Sequence, residues 1–269
     1  MIRVLLLLLL LLLVLQAAPL PAVERVVSLA PSLSEIVVEL GAADLLVGVL
    51  DGGERPPALA HLPSVGRYGQ VEMETLLALR PELILLWPGS ISQAQREQLQ
   101  GFGIALLVLE AHSLDELAGQ FLQIGRRLGR ERQGQRLQER FLEGLAELRQ
   151  RYRRERPVRV FYQVWDAPLY TVGGGQIISD ALALCGARNV FADLRLPAPQ
   201  IGVEAVLQRD PEVIIASDAA QLAAWRRWPE LTAVRRAQLW PLPDKGLERP
   251  SFQMLAATGK LCEVLRVAR

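Results

Sequence analysis

Short unbroken apolar runs alternate along the chain with stretches of helical period. Residues 25–30, RVVSLA, read as a buried strand. Pro31 ends it, and Ser32-Leu33-Ser34-Glu35 reads as a capping box that opens a helix stopped by Gly41. Residues 45–49 read as a second strand and 51–69, rich in Gly and Pro, as a loop. A helix at 72–79, a strand at 83–87, a helix at 91–101, a strand at 104–110 and a helix at 114–128 follow. Such alternation implies a mainly parallel sheet with helices on both faces. In 130–154, which lacks proline, Leu137, Phe141, Leu145 and Leu148 recur at three- and four-residue steps among Arg, Glu and Gln. That predicts one amphipathic helix of about 25 residues, about 37 Å long. Strands at 158–164, 212–216 and 238–243, with helices at 177–185, 203–208, 219–226 and 251–266, resume the alternation. The expected architecture is α/β: two Rossmann-like lobes with mainly parallel sheets, 23–128 and 157–269, joined by a single long helix within 129–156, after a leader at 1–22.

A repeat supports the two lobes. QVEMETLLALRPELIL at 70–85 pairs without a gap with QIGVEAVLQRDPEVII at 200–215, an offset of 130. Gln70 matches Gln200, Glu74 matches Glu204, Leu77 matches Leu207, and Pro81-Glu82 matches Pro211-Glu212. Each copy reads as a short apolar lead-in, an amphipathic helix, a Pro-Glu turn and a buried strand. Two similar lobes make a cleft, and clefts hold ligands.

The amino terminus changes the setting. Arg3, an unbroken apolar run at 4–15 and small residues up to Ala22 read as a secretory signal peptide. The alternative, a membrane anchor, needs about 20 apolar residues. No Cys follows the apolar run, which excludes a bacterial lipoprotein, so the mature chain is expected to be soluble and outside the cytoplasm. The net charge of +1 gives no bulk field for nucleic acid or an anionic membrane, although positive charge gathers at 126–159. Two cysteines, Cys185 and Cys262, suggest a disulfide in an oxidising compartment; two separately buried thiols are the alternative.

Catalytic patterns are missing. His61 and His112 sit in no metal-spacing motif and read as solvated loop residues, and there is no nucleophile elbow, P-loop or zinc-protease motif. Gly173-Gly174-Gly175 lacks dinucleotide spacing and reads as a tight turn into a helix whose N-terminus opens on the cleft, where an anionic ligand group could bind. Tyr68, Trp87, Trp165 and Tyr170 fall just after or between strands, where open α/β sheets bind ligands. Flat side chains there suit a large flat ligand; alternatively they cap the core. Glu74 and Glu204 start equivalent helices. Each alone is explained by helix-dipole capping. Together, on an outer rim, they would present two acidic knobs to a basic partner.

The segments RVVSLAPSLSE, GVLDGGERPP, VGRYGQVEMETLLALRPELILLWPG, NVFADLRLPAPQIGVEAVL and PLPDKGLERPS, in that order along the whole mature chain, resemble the vitamin B12 binding proteins of Gram-negative ABC importers. That class has two α/β lobes joined by one rigid helix and includes siderophore and haem carriers. The resemblance implies a periplasmic, non-enzymatic, monomeric carrier of a corrinoid with no cofactor or metal site of its own. It implies a Cys185–Cys262 disulfide and salt bridges from Glu74 and Glu204 to arginines of a dimeric permease. It places Gly52, Tyr68, Trp87 and Tyr170 and the segment Asp244, Lys245, Gly246, Leu247 and Glu248 around the ligand, with Trp165 as an extra aromatic. Gly52 stands where a tyrosine is expected and Ala198 where a tryptophan is, and the 244–248 segment lacks the expected aromatics. Haem or a ferric siderophore is the alternative cargo; for a siderophore, Arg67 and Arg249 could serve as partners. A secreted α/β enzyme with an anion site at Gly173–Gly175 is the alternative of another class.

Overall fold

The computed structural model describes residues 23–53 and 55–268; the proposed leader at 1–22 lies outside them. The first lobe holds β1 (Val26–Ser28), α1 (Pro31–Glu39), β2 (Leu46–Asp51), β3 (Ser64–Arg67), β4 (Gln70–Val71), α2 (Met73–Ala78), β5 (Leu83–Leu86), α3 (Gln93–Gly101), β6 (Ala105–Val108) and α4 (Leu114–Arg127). Its six strands run in the order β4-β3-β2-β1-β5-β6, parallel except for β4. Helix α5 (Glu131–Arg151) follows. The second lobe has β7 (Val158–Asp166), β8 (Leu169–Thr171), α6 (Ile177–Leu184), β9 (Ala187–Asn189), α7 (Val203–Arg209), β10 (Val213–Ala216), α8 (Ala219–Ala224), α9 (Thr232–Arg235), β11 (Leu239–Pro241) and α10 (Gln253–Arg266). Here β7 lies between β10 and two short strands: parallel β9 along its first half and antiparallel β8 along its second.

Several expectations are corrected. The stretch 51–69 is not loop throughout, because Ser64–Arg67 is a strand and turns back as a hairpin onto Gln70–Val71. The capping box at Ser32–Glu35 does not form: the N-cap is Ala30, without a side-chain bond, and Pro31 opens the helix. Proline lacks an N–H and has φ preset, so it starts a helix without a side-chain cap. Ser34 turns inward to Ser28 and the Ala30 carbonyl, and Glu35 is drawn to the other lobe. Helix α5 has 21 residues, about 31 Å. It stops early because the next residues dock on α10: the Tyr152 hydroxyl donates to Glu263 (2.6 Å), and Arg154 donates to the last-turn carbonyls of Leu265 and Arg266 (2.7 and 2.8 Å).

The lobes are joined by packing as well as by chain. Gly125 of α4 faces Gly134 of α5 so closely that a Cβ on Gly134 would lie 2.7 Å from the Phe121 carbonyl. Phe121 and Phe141 meet edge to face at 5.2 Å, and Phe252, leading into α10, closes the cluster at 6.1 and 5.8 Å. One buried apolar cluster runs from Val26 and Leu83 through these helices to Val160 and Val213. Glu35 ion-pairs with Arg249, accepts a bond from Ser251 (2.8 Å) and another from Gln253, while the Phe252 N–H donates to Glu39 (3.2 Å). Cys185 and Cys262 form a disulfide that ties the end of α6 to α10.

The repeat at offset 130 is structural. Leu76 and Val206 are the buried residues of their helices. Arg80 (φ 47°) and Asp210 (φ 41°) hold equivalent left-handed positions before the prolines. Glu82 accepts the N–H of Glu24 (2.7 Å) ahead of β1, as Glu212 accepts that of Arg159 (3.0 Å) in β7. Each Pro-Glu turn thus carries a carboxylate to the start of the neighbouring strand.

Candidate functional site

A cavity of about 230 Å³ lies between the lobes. Its first-lobe wall comes from segments just past strand ends, as in other open α/β sheets. The first lobe gives Tyr68, Trp87-Pro88-Gly89 and Glu110-Ala111-His112; the second gives Gly175-Gln176-Ile177, Pro197 and Pro250.

Tyr68 is at the tip of the β3–β4 hairpin, whose strands close at Arg67 and Gln70. Gly69 takes φ 76°, a conformation that glycine adopts without strain, so the turn needs just two residues. The hairpin leaves Tyr68 67% exposed, and its hydroxyl passes over Gly89. Trp87 ends the β5 side of the wall, packed in part on the core. Buried Ser90 fixes that turn: it accepts the Trp87 N–H (3.0 Å) and donates to the Leu29 carbonyl (3.3 Å). Two of the four expected aromatics therefore share one cavity.

The other two lie elsewhere. Trp165 and Tyr170 are cross-strand partners in the β7–β8 hairpin, turned by a cis Ala167–Pro168 bond. Trp165 is 57% exposed, its indole N–H on the Ala167 carbonyl (3.2 Å). Neither lines the cavity between the lobes. In the 244–248 segment, Gly246 and Leu247 are buried. Asp244 is held by Lys260 (2.6 Å) and the Gly246 N–H, and that pairing lowers its carboxyl below the usual value. Glu248 accepts the Tyr162 hydroxyl (3.0 Å); burial, reinforced by this carboxylate, pushes the phenol well above its ordinary range. Lys245 is exposed. Gly52 sits against Pro31, where a Cβ would come within 2.6 Å of the proline ring. Ala198 is exposed beside Pro197 of the wall.

His112 is an exposed loop residue, as expected, but its ring is also held across the cleft. Its Nδ1 is 2.9 Å from the Gly175 carbonyl of the opposite lobe, and its Nε2 is 3.6 Å from the Glu110 carboxylate. Next to it, the Leu114 N–H donates to Asp180 (2.8 Å), joining the start of α4 to α6. A position just before a helix N-cap and just after a strand was the one available sign, since that is where cleft walls are built. Glu110 and Gln176 were missed for lack of any motif. The glycine run is a packing device: a Cβ on Gly173 or Gly174 would meet the Leu196 or Ala192 carbonyl at 2.0 Å. Beyond it, Gly175, Gln176 and Ile177 bring the start of α6 to the cleft, as expected.

Glu74 and Glu204 are exposed in the first turns of α2 and α7. Among the described residues neither has a hydrogen-bond or ion-pair partner. Arg67 is engaged with Gln70 (2.7 Å) and Arg249 with Glu35. Among the described residues no group of three or more His, Cys, Asp or Glu is placed to hold a metal ion, and no helix is long and apolar enough to cross a membrane.

Known proteins share this architecture. The profile of the periplasmic binding protein family matches residues 26–245. The chain is 34% identical over 258 residues to the vitamin B12-binding protein of Vibrio cholerae, covering 95% of this chain and 93% of that protein. The crystal structure of a periplasmic vitamin B12 binding protein of Vibrio cholerae superposes with a TM-score of 0.83 at 33% identity, covering 91% of this chain and 98% of that one. A periplasmic heme binding protein of Vibrio cholerae superposes with a TM-score of 0.79 at 21% identity, covering 90% and 98%, a likeness of fold alone. With two α/β lobes facing a shared cleft and a family profile running through most of its length, the chain belongs to the periplasmic binding protein family.

Proposed function

We propose that the protein captures a corrinoid of the vitamin B12 type between its lobes in the periplasm and hands it, as a monomer, to the dimeric permease of an ABC importer. It performs no chemistry, and the cobalt travels as part of the cargo. The observation that carries this reading is the charge character of the cleft. Among the described residues lining it there is a carboxylate, Glu110, and no Lys or Arg. A corrin rim carries neutral amides, whose N–H groups such acceptors bind. Haem propionates and ferric catecholate siderophores are anionic. An anion about 4 Å from Glu110 would be repelled by roughly 1–4 kcal/mol, depending on the local dielectric. Neither Arg67, bonded to Gln70, nor Arg249, ion-paired with Glu35, lines the cavity. The vitamin B12-binding relatives support the same cargo.

Tyr68 and Trp87 would hold the ring from the first lobe. Trp165 and Tyr170, with Lys245 and Glu248, would meet its periphery from the second. The lobes would close modestly on the ligand. Glu74 and Glu204 would take basic residues of the two permease subunits. A visible-absorbance titration with cyanocobalamin, haem and a ferric siderophore tests the cargo. Cyanocobalamin is expected to bind; binding of haem or the siderophore alone would overturn the corrinoid assignment.

A further inference from the structure

His112 lines the cleft, and the capture of a fully ligated corrinoid does not use its imidazole. A carbonyl oxygen has no proton to give, so in the 2.9 Å contact with Gly175 it is Nδ1 that carries the hydrogen and donates. In the neutral ring this leaves the Nε2 lone pair bare. Its nearest acidic neighbour, Glu110, is 3.6 Å away, beyond hydrogen-bond reach. The ring is about half exposed, within the cavity wall that also holds Tyr68 and Trp87. An imidazole that donates one ring N–H to a backbone carbonyl and offers the other nitrogen to a cavity is oriented as metal-ligating histidines are.

We propose that Nε2 of His112 takes an axial position on the cobalt of corrinoids whose axial site is held by water, so that the cleft favours aquo and base-free corrinoids over fully ligated ones. The inference rests on the corrinoid reading above. The exchange is balanced: the lone pair of Nε2 forms the cobalt–nitrogen bond as the cobalt–oxygen bond to water breaks. Water leaves intact, no proton moves, and the oxidation state of cobalt is unchanged.

The test is a titration of the mature protein with diaquocobinamide and with dicyanocobinamide, whose axial positions are filled. Diaquocobinamide should bind at least about tenfold more tightly, with the visible bands shifting as they do when free imidazole is added. Dicyanocobinamide should keep its free spectrum. His112→Ala and His112→Gln should lose the shift, and free imidazole should restore it in the alanine variant. The assignment does not depend on those variants alone. With cargo reduced to cobalt(II), paramagnetic resonance should show splitting by one nitrogen, changing from triplet to doublet when histidine carries the spin-one-half isotope. His61, the other of the two histidines, is removed by His61→Ala, which should leave that splitting intact. Bound diaquocobinamide with an unshifted spectrum, or a shift that survives both His112 substitutions, overturns the inference and leaves the corrinoid reading standing. Failure to bind any corrinoid overturns both.

Discussion

Removing the Glu35 carboxylate tests how the lobes are held. Glu35 leaves α1 with its side chain 11% exposed and is met by the Arg249 guanidinium, itself 25% exposed. Ser251 and Gln253 donate to the same carboxylate. In Glu35→Ala the guanidinium keeps its partly buried place with its carboxylate gone, the Ser251 hydroxyl loses its acceptor, and Gln253 keeps only its bond to Ser251. Breaking a fully buried pair costs about 3–5 kcal/mol, and hydrogen bonds to a charged group are worth about 1.5–3 kcal/mol each. These are not additive, and the exposed quarter of Arg249 lets water recover part of the loss. The expected destabilisation is about 2–4 kcal/mol. Urea unfolding of single variants Glu35→Ala and Arg249→Ala and of the double variant measures it, with thermal melting as a second probe. The double variant should lose less than the sum of the singles, because deleting both charges leaves neither one stranded; a coupling of about 1–3 kcal/mol is expected. Since α1 belongs to the first lobe and residues 249–253 follow the last strand of the second sheet, that coupling is also a measure of lobe-to-lobe attachment. A Glu35→Ala cost below about 0.5 kcal/mol, the range of an ordinary surface change, would refute the reasoning.

Further outcomes follow from other contacts. Reducing the Cys185–Cys262 bridge, or replacing both cysteines by alanine, should cost about 2–5 kcal/mol in reversible unfolding; equal stability with and without reductant would contradict it. Burial would raise the Glu212 carboxyl, but the Arg159 N–H and the charges of Arg159, Arg156 and Arg236 outweigh it and hold the group below 4.5. A depressed acid stabilises the fold above its unfolded value and loses that contribution as pH falls through the folded value. The melting temperature should therefore drop below about pH 4.5, less steeply in Glu212→Gln; parallel curves would remove the assignment. Gly134→Ala should destabilise by about 1–3 kcal/mol through overpacking against Phe121, and an unchanged denaturation midpoint would show that the helices can move apart. The double variant Glu74→Ala, Glu204→Ala should bind ligand like the parent yet fail to support uptake; normal uptake would dismiss the docking role.

What the sequence made legible follows from which forces are local. Buried strands such as Leu83–Leu86 and amphipathic helices such as Leu114–Arg127 declare themselves by apolar period, and the structure has both where expected. The β3–β4 hairpin did not, because four residues and two, set among glycines, carry no period. The Ser32–Glu35 pattern misled for the opposite reason: its spacing was right, but Glu35 finds Ser251, 216 residues away, a better partner than its own helix end. Aromatics placed by strand ends were half informative. Tyr68 and Trp87 converge, whereas Trp165 and Tyr170 pair with each other on a hairpin. The sequence reads His112 only as a loop residue, because what distinguishes it is a carbonyl from the other lobe.

The duplicated segment gains meaning from what the fold consumes of it. Of its repeated positions, Leu76 and Val206 fill the core. Glu82 and Glu212 serve the strands β1 and β7, and Arg80 and Asp210 take the same left-handed turn. Gln70 holds Arg67, and Gln200 bridges to Tyr170. Glu74 and Glu204 alone among these pairs are left exposed and, within the described residues, without a partner. Helix-dipole stabilisation accounts for a carboxylate in a first turn, at about 0.3–1 kcal/mol each. It gives no reason for the same residue at the same register in two lobes whose cleft walls differ. An asymmetric cargo requires the walls to differ, whereas a two-fold partner requires two matching contacts. The duplication thus separates the molecule's tasks: unmatched segments line the cavity between the lobes, and its one unspent matched pair is exposed, where the proposed permease would meet it.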